Sequence, residues 1–576
     1  MVGILCLWIC LLLHLPLYNA GGGQGVRLPW NTVAWAVAVT VILSTAVMAP
    51  VGRPVITPAS CLLFLSALLL TLPVFWTPVR EWVNYSLPRL SGLWGSAVFY
   101  LALLQCRFSH PIKRLFLWCV TFASLIQGGN VMVGIFYPAL LSPISQMFLQ
   151  TGGRESLGVF QQVNVTASFL ATGFALSLAL IYRAGKQYRA QEKSFHSQTL
   201  RRIKLAYLLI LIALLPCVLV LTRSRTGWLG GVAVYIVTVS ILLTESRQKF
   251  RSHFLPGGYR AALVLIPLAG VAAGLFLLGC SVTEAIDHGG SNYQRWLTLK
   301  VTWEMISLHP WSGWGLGSFI MQFQHFIASR YSPNPSHGFM GHPHNEILYV
   351  WMEGGIVALA GLVVLGFTVV MLLLKNRSPG RRLIALALLP ILLHTLVEYP
   401  LYLSSPHVLV LLLITLSLDR TSCRGVVMAE KIPFLHKPGM QLCLRGALTL
   451  ICIWLLASLY ETYQLNTLLS RFEVDGAYPS QLPDSADIPW LVRTRYDADR
   501  MNLLLERYNS NGDLRLLRSV VSENAHWLKT HTNPDNYVGQ MEVLRYLHRT
   551  EEACRYLHEG HKLFPMDERL AEQTCQ

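Results

Sequence analysis

Two arginines in a short turn between apolar segments are the first residues in this sequence that ask for a chemical reason. Arg223 and Arg225 lie in Thr222-Arg-Ser-Arg-Thr-Gly-Trp228. One reading is that their long stems snorkel to lipid headgroups. The other is that ionisable groups near membrane depth face a polar cavity. A planar guanidinium matches paired phosphate oxygens, so a phosphate or diphosphate is the natural partner, and the functional reading is preferred for Arg225. A second set follows. Asn292-Tyr-Gln-Arg295-Trp opens a segment that scans as an amphipathic helix lying on the membrane, and His309-Pro-Trp-Ser-Gly-Trp-Gly-Leu-Gly-Ser318 is a glycine-rich turn. Then comes Gly341-His342-Pro-His344-Asn-Glu, running into an apolar stretch that contains Glu353. Two histidines with Pro between them cannot share a helix face, and no third ligand pattern accompanies them, so no metal is expected. His344 at the mouth of a span is either structural or a general base, since a free imidazole titrates near pH 6.5. His342 is read as structural.

Weaker candidates stand at other span ends. Gln162 and Asn164 either hydrogen-bond a ligand or cap a helix. Tyr399 and Tyr402 either contact a ligand or anchor at the interface. Glu398 is harder to explain as an anchor and is expected to orient His344 or pair with an arginine. Glu353 needs a buried partner that the sequence does not name.

The elements that must position these residues are membrane spans. The chain has 576 residues, 53% hydrophobic and 13% charged, with mean hydropathy +0.45. Soluble domains carry about a quarter charged residues. Thirteen apolar segments read as spans: Val2–Tyr18, Thr32–Met48, Thr57–Trp76, Ser91–Gln105, Leu115–Phe136, Val163–Tyr182, Leu205–Leu221, Gly227–Leu243, Ala261–Cys280, Ile347–Leu374, Leu383–Val397, Pro406–Leu418 and Ala447–Tyr460. The first lacks a basic leader and is expected to be retained rather than cleaved as a signal peptide. Alternate loops hold 24 Lys and Arg on one side and 9 on the other. The positive-inside rule makes the first set cytoplasmic, which puts Arg225, Arg295 and His344 outside. The net charge of +16 is therefore mostly topology, and nucleic acid is not expected as a partner. The expected fold is all-α, a polytopic membrane protein of about 12–13 transmembrane helices. Residues 1–460 form its membrane domain, with a large external loop at 281–345. Residues 461–576 form a small external helical domain, in which Arg545–Pro565 reads like one tetratricopeptide-type hairpin. Twelve cysteines show no C-x-x-C spacing; Cys554 and Cys575 are free to pair if the tail lies in an oxidising compartment.

His344-Asn345 followed after nine residues by Gly355 resembles the signature of the O-antigen ligase and O-antigen polymerase superfamily of bacterial inner-membrane glycosyltransferases. Ser224-Arg225-Thr226-Gly-Trp resembles that family's arginine turn, and Arg295-Trp with His309-Pro-Trp-Ser-Gly-Trp-Gly-Leu-Gly its arginine and glycine stretch. Leu28-Pro-Trp-Asn31, Gln162-x-Asn164 and Glu398-Tyr-Pro-Leu-Tyr402 are similar to segments of protein O-oligosaccharyltransferases of the PglL type, which include pilin glycosylation ligases. The tail resembles the C-terminal domain of virulence factor membrane-bound polymerases. The resemblance implies metal-independent, cofactor-free, inverting transfer of a glycan from undecaprenyl diphosphate on the periplasmic face of the inner membrane. It makes His344 the base and Arg225 and Arg295 the diphosphate ligands, with Gln162, Asn164, Glu398, Tyr399 and Tyr402 as substrate-binding residues. The acceptor would be a pilin-like periplasmic protein or, for the ligase and polymerase branches, lipid A-core or a growing polysaccharide. A lipid-linked sugar transporter is disfavoured, because no repeat symmetry or midplane polar break is visible.

Overall fold

The computed structural model describes residues 1–17, 23–49, 54–152, 157–187, 195–247, 255–280, 289–336, 340–376, 378–419, 437–476, 479 and 487–575. Among them every regular element is helical. Among the described residues ten helices are long and apolar enough to cross a bilayer, which makes this a multi-pass membrane protein. In chain order the membrane helices and their shorter companions are α1 (Val2–Cys10), α2 (Pro29–Met48), α3 (Pro58–Thr71), α4 (Arg80–Gln105) and α5 (His110–Phe136). They continue with α6 (Pro143–Gly152), α7 (Val163–Gln187), α8 (Phe195–Leu221), α9 (Arg225–Arg247) and α10 (Gly257–Cys280). The external segment holds α11 (Gly289–Leu308) and α12 (Phe319–Arg330), and α13 (Glu346–Lys375) returns to the membrane.

The later spans depart from expectation. Leu383–Val397 is two short helices, α14 (Pro379–Leu386) and α15 (Leu389–His394), because Pro390 lacks an amide hydrogen and restarts the helix. After α16 (Pro400–Leu403), α17 (Ser405–Leu418) has 14 residues, about 21 Å of rise, less than a hydrocarbon core. The first span is likewise short, α1 followed by a single 3-10 turn at Leu12–His14. The last, α18 (Pro438–Asp475), runs 38 residues, about 57 Å, well past what a bilayer needs.

The chain divides into two compact units, each discontinuous in sequence. The first comprises residues 1–63, 95–284 and 366–457. Its centre is α7, whose apolar stretch is buried throughout and touches α5, α8, α9, α14 and α15. Small residues allow the approach: a Cβ on Gly173 would fall 2.1 Å from Ser124 Oγ on α5.

The second unit comprises residues 64–94, 285–365 and 458–576. In it α19 (Arg493–Asn511), α20 (Leu514–Leu528), α21 (Pro534–Tyr546) and α22 (Thr550–Leu563) pack in succession around Leu517, Val520, Tyr537, Met541 and Leu557. This helical tail is fastened to the segment between α11 and α13. Gln324 Nε2 and Asn334 Nδ2 both donate to the Leu563 carbonyl, at 2.6 and 2.7 Å. Trp82 Nε1 donates to the Thr530 carbonyl at 3.0 Å. Cys554 and Cys575 form a disulfide.

Candidate functional site

The residues singled out from sequence fall into two clusters, one in each unit. In the first unit the start of α7 is the organising element. Gln162 caps it, its Oε1 accepting the Val165 amide at 2.6 Å, while its Nε2 donates to Glu398 Oε2 at 3.1 Å. Asn164 Nδ2 donates to Glu398 Oε1 at 2.8 Å, and Asn164 Oδ1 accepts the Ser224 hydroxyl at 2.6 Å. Glu398, 4% exposed, also meets His394 Nε2 at 3.0 Å, one helical turn earlier. Gln162 thus caps the helix with its oxygen while its nitrogen holds Glu398.

The network runs deeper. His394 Nδ1 lies 3.0 Å from Ser168 Oγ, which lies 3.3 Å from His407 Nε2, and His407 Nδ1 is 2.7 Å from Ser404 Oγ. Buried polar groups persist only when partnered, and here each is. Gln162, Asn164 and His394 all bond Glu398. His394, His407, Ser168 and Ser404 were missed. The available signal was His394 at i, i+4 to Glu398 inside an apolar stretch. Asn31 braces the same region, donating to the Gly25 and Leu403 carbonyls and accepting the Ser405 amide at 2.7 Å. Tyr399 is the N-cap of the short α16 and Tyr402 lies within it; both are half-buried.

Ser224 is the pivot between this network and the arginine turn. Its hydroxyl accepts the Gly227 amide at 3.1 Å, so it caps α9, and Arg225 is the first residue of that helix. Arg225 is exposed, and Arg223 precedes it with φ +51°. A cation at a helix N-terminus opposes the macrodipole by about 0.3–1 kcal/mol. The same end attracts anions through its unsatisfied amides. An anion bound there would remove the conflict and gain both interactions.

In the second unit the glycine-rich turn meets a break in α13. Gly355 has φ +65° and ψ −161°, so the helix cannot close its own hydrogen bonds there. The turn supplies them: Trp314 N donates to Met352 O at 2.8 Å, Gly315 N to Glu353 O at 2.9 Å, and Ile356 N to Trp311 O at 3.1 Å. The contact is backbone on backbone, which explains Gly313 and Gly355; Gly317 instead lies against Trp82, where a Cβ would fall 2.1 Å from its carbonyl oxygen. A Cβ on Gly355 would fall 2.1 Å from Trp311 O, and one on Gly313 2.5 Å from Glu353 O. Glu353, 1% exposed, finds the partner that sequence could not name in Arg89, at 2.5 Å. The Arg89 guanidinium also stands 4.9 Å from the centre of the Tyr349 ring.

His342 also packs against Tyr349, ring centres 4.4 Å apart. Its Nδ1 accepts the His344 amide at 2.9 Å, which leaves Nε2 to carry the proton, 3.5 Å from Glu346. Buried His342 therefore holds the backbone of His344, which sits at φ +57°, a conformation rare for a residue with a side chain. Asn345 caps α13, its Oδ1 accepting the Leu348 amide at 3.0 Å, so the half-buried His344 is presented just ahead of a helix start. Arg295 lies on α11 in the same unit, half-buried, beside Gln294, whose amide donates to Pro335 O at 3.1 Å. In this unit His344 is held in a fixed frame by His342 and Asn345, and Arg295 is carried on α11.

Residues 208–363 match the family described as O-Antigen ligase. Residues 383–576 match the family described as Virulence factor membrane-bound polymerase, C-terminal. Arg225, Arg295, His344 and Gly355 fall in the first match. Glu398, Tyr399 and Tyr402 fall in the second, which begins well before residue 461. Gln162 and Asn164 lie in neither. No curated protein matches the chain.

Proposed function

We propose that this chain, which belongs to the O-antigen ligase superfamily of membrane glycosyl-transferring enzymes, is a protein O-oligosaccharyltransferase. Its donor would be a glycan on undecaprenyl diphosphate, and its acceptors Ser or Thr hydroxyls of periplasmic proteins such as pilins. The observation that carries the donor assignment is Arg225 at the first position of α9, where an anionic partner offsets the helix dipole. In the reaction the acceptor oxygen forms a bond to the anomeric carbon as the bond to the diphosphate breaks. The hydroxyl proton passes to His344, and the departing diphosphate takes the charge that Arg225 and Arg295 neutralise. Single displacement inverts the sugar carbon. A diphosphate is already a good leaving group, so the paired carboxylates of a glycosidase have no counterpart here. The protein acceptor is supported by the Leu28–Asn31, Gln162–Asn164 and Glu398–Tyr402 segments, which Asn31 and Glu398 tie together through the bonds described above.

The test is reconstitution with a lipid-linked glycan donor and two competing acceptors, a pilin-like protein and lipid A-core. Glycosylated protein that disappears in His344→Ala, with the variant still inserted and donor-bound, supports the reading. Glycosylated lipid A-core with unmodified protein assigns the chain to the ligase branch. The periplasmic placement is tested separately: a reporter active only outside should work when fused after Glu461 and stay silent within Lys375–Gly380.

A further inference from the structure

The far end of α7 carries a second charged centre. Arg183 lies 19 residues beyond Asn164 on the same helix, about 28 Å along its axis, so it belongs to the opposite membrane face. Around it the first unit gathers Arg114 from α5 and Arg381 from α14, all within electrostatic reach of one another and of His110. The start of α14 lies directly on Arg183: a Cβ on Gly380 would stand 3.3 Å from Arg183 Cγ. All three arginines are half-buried.

A solvated basic loop satisfies the positive-inside rule by itself and needs no partner. This cluster is different. Among the described residues no carboxylate pairs with Arg114 or Arg183, and Arg114 Nε is buried without a hydrogen-bond partner. The nearby Glu245 is engaged by Lys186 Nζ and the Tyr182 hydroxyl, each at 2.7 Å. Half-buried like charges call for a counter-anion. The surroundings say which kind. Arg381 Nη1 donates to Asn376 Oδ1 at 3.0 Å, and Asn376 lines a cavity of about 230 Å³ whose wall is Pro58, Ala59, Met371, Leu372 and Leu418, with Lys375 and Asp419 at its polar end beside Asn376. A polar site for phosphate oxygens thus shares a residue with an apolar slot.

We propose that Arg114, Arg183 and Arg381 hold the phosphate of an anionic phospholipid, one of whose acyl chains enters the adjacent cavity. Guanidinium groups between membrane helices suit such headgroups, and the apolar slot favours a lipid over a free anion. The site is remote from the transfer chemistry and independent of which glycan acceptor is used.

The full-length protein in mild detergent is titrated with cardiolipin, phosphatidylglycerol, phosphatidylcholine or inorganic phosphate, reading Tm and the lipid retained in native mass spectrometry. The anionic lipids should stabilise at concentrations at least about tenfold lower than phosphatidylcholine does, and Arg114→Gln with Arg183→Gln should weaken their binding by about tenfold or more, the loss expected for charged hydrogen bonds. Should the double variant not fold, retained lipid on Arg114→Gln alone decides: retention equal to wild type overturns the proposal. Equal stabilisation by phosphatidylcholine overturns it too. So does a response that inorganic phosphate saturates and lipid does not extend, which would assign the arginines to a free anion.

Discussion

Glu398→Gln isolates the network at the start of α7, because it changes one atom and almost no volume. The Glu398 carboxylate accepts from Gln162 Nε2 at 3.1 Å, Asn164 Nδ2 at 2.8 Å and His394 Nε2 at 3.0 Å. An amide has one acceptor oxygen and one donor nitrogen, so it cannot satisfy donors on both sides. If its oxygen faces Gln162 and His394, its NH2 meets the Asn164 NH2, and Asn164 must turn over. That movement takes Asn164 Oδ1 away from the Ser224 hydroxyl, the cap of the helix that begins with Arg225. A charged hydrogen bond is worth about 1.5–3 kcal/mol, and a net loss of about 2 kcal/mol expressed in the transition state slows transfer about thirtyfold. The assay is glycan transfer at varied donor concentration, with Tm measured alongside. The expected result is a fall in transfer with Tm shifted little. Adding Asn164→Asp should restore part of the rate, because the introduced carboxylate accepts from both the new amide and Ser224. Wild-type kinetics for Glu398→Gln, or no rescue by the second change, would refute the claim that this carboxylate positions the arginine turn.

Three further outcomes are expected. Arg225→Lys keeps the charge but loses the planar fork, so it should insert normally and transfer about ten- to a hundredfold more slowly, with Arg225→Ala worse; near-normal transfer by Arg225→Ala would make the turn a lipid anchor. Gly355→Ala places a methyl 2.1 Å from Trp311 O at a φ of +65° and should leave the glycine-rich turn undocked and open to proteolysis, whereas Gly366→Ala in the same helix, with nothing within 4 Å, should be tolerated. Burial against Trp527, ring centres 3.8 Å apart, pushes His531 down to about 4. The unfolded imidazole takes a proton below about 6.5, so stability is full above that pH and falls by up to about 3 kcal/mol as pH drops toward 4, and melts of His531→Gln should lose that slope.

Several features of this protein are legible in the order of its residues alone. Hydropathy sets the helical, membrane-spanning class, because an apolar segment must bond its own backbone in lipid and a helix is the local way to do it. The arginine turn, His344 and the glycine stretch are equally local: each stands out because its residue type conflicts with its surroundings. Span lengths are set by more than hydropathy. Where Pro390 interrupts an apolar run the hydropathy stays high while the helix stops, and α18 continues past its apolar core because helical hydrogen bonding does not end where lipid does. Partnerships were hidden altogether. Glu353 meets Arg89 from 264 positions away, and Glu398 meets Asn164 from 234, distances over which no periodicity carries information. The glycines of the 313–317 turn look like mere flexibility in sequence; only the fold shows that Gly313 lets one backbone repair another at Gly355 and that Gly317 lets the turn lie on Trp82. A residue's chemistry is intrinsic and can be read directly. Which buried group satisfies which is decided by packing, since an unpaired polar atom out of water is costly wherever its partner lies along the chain.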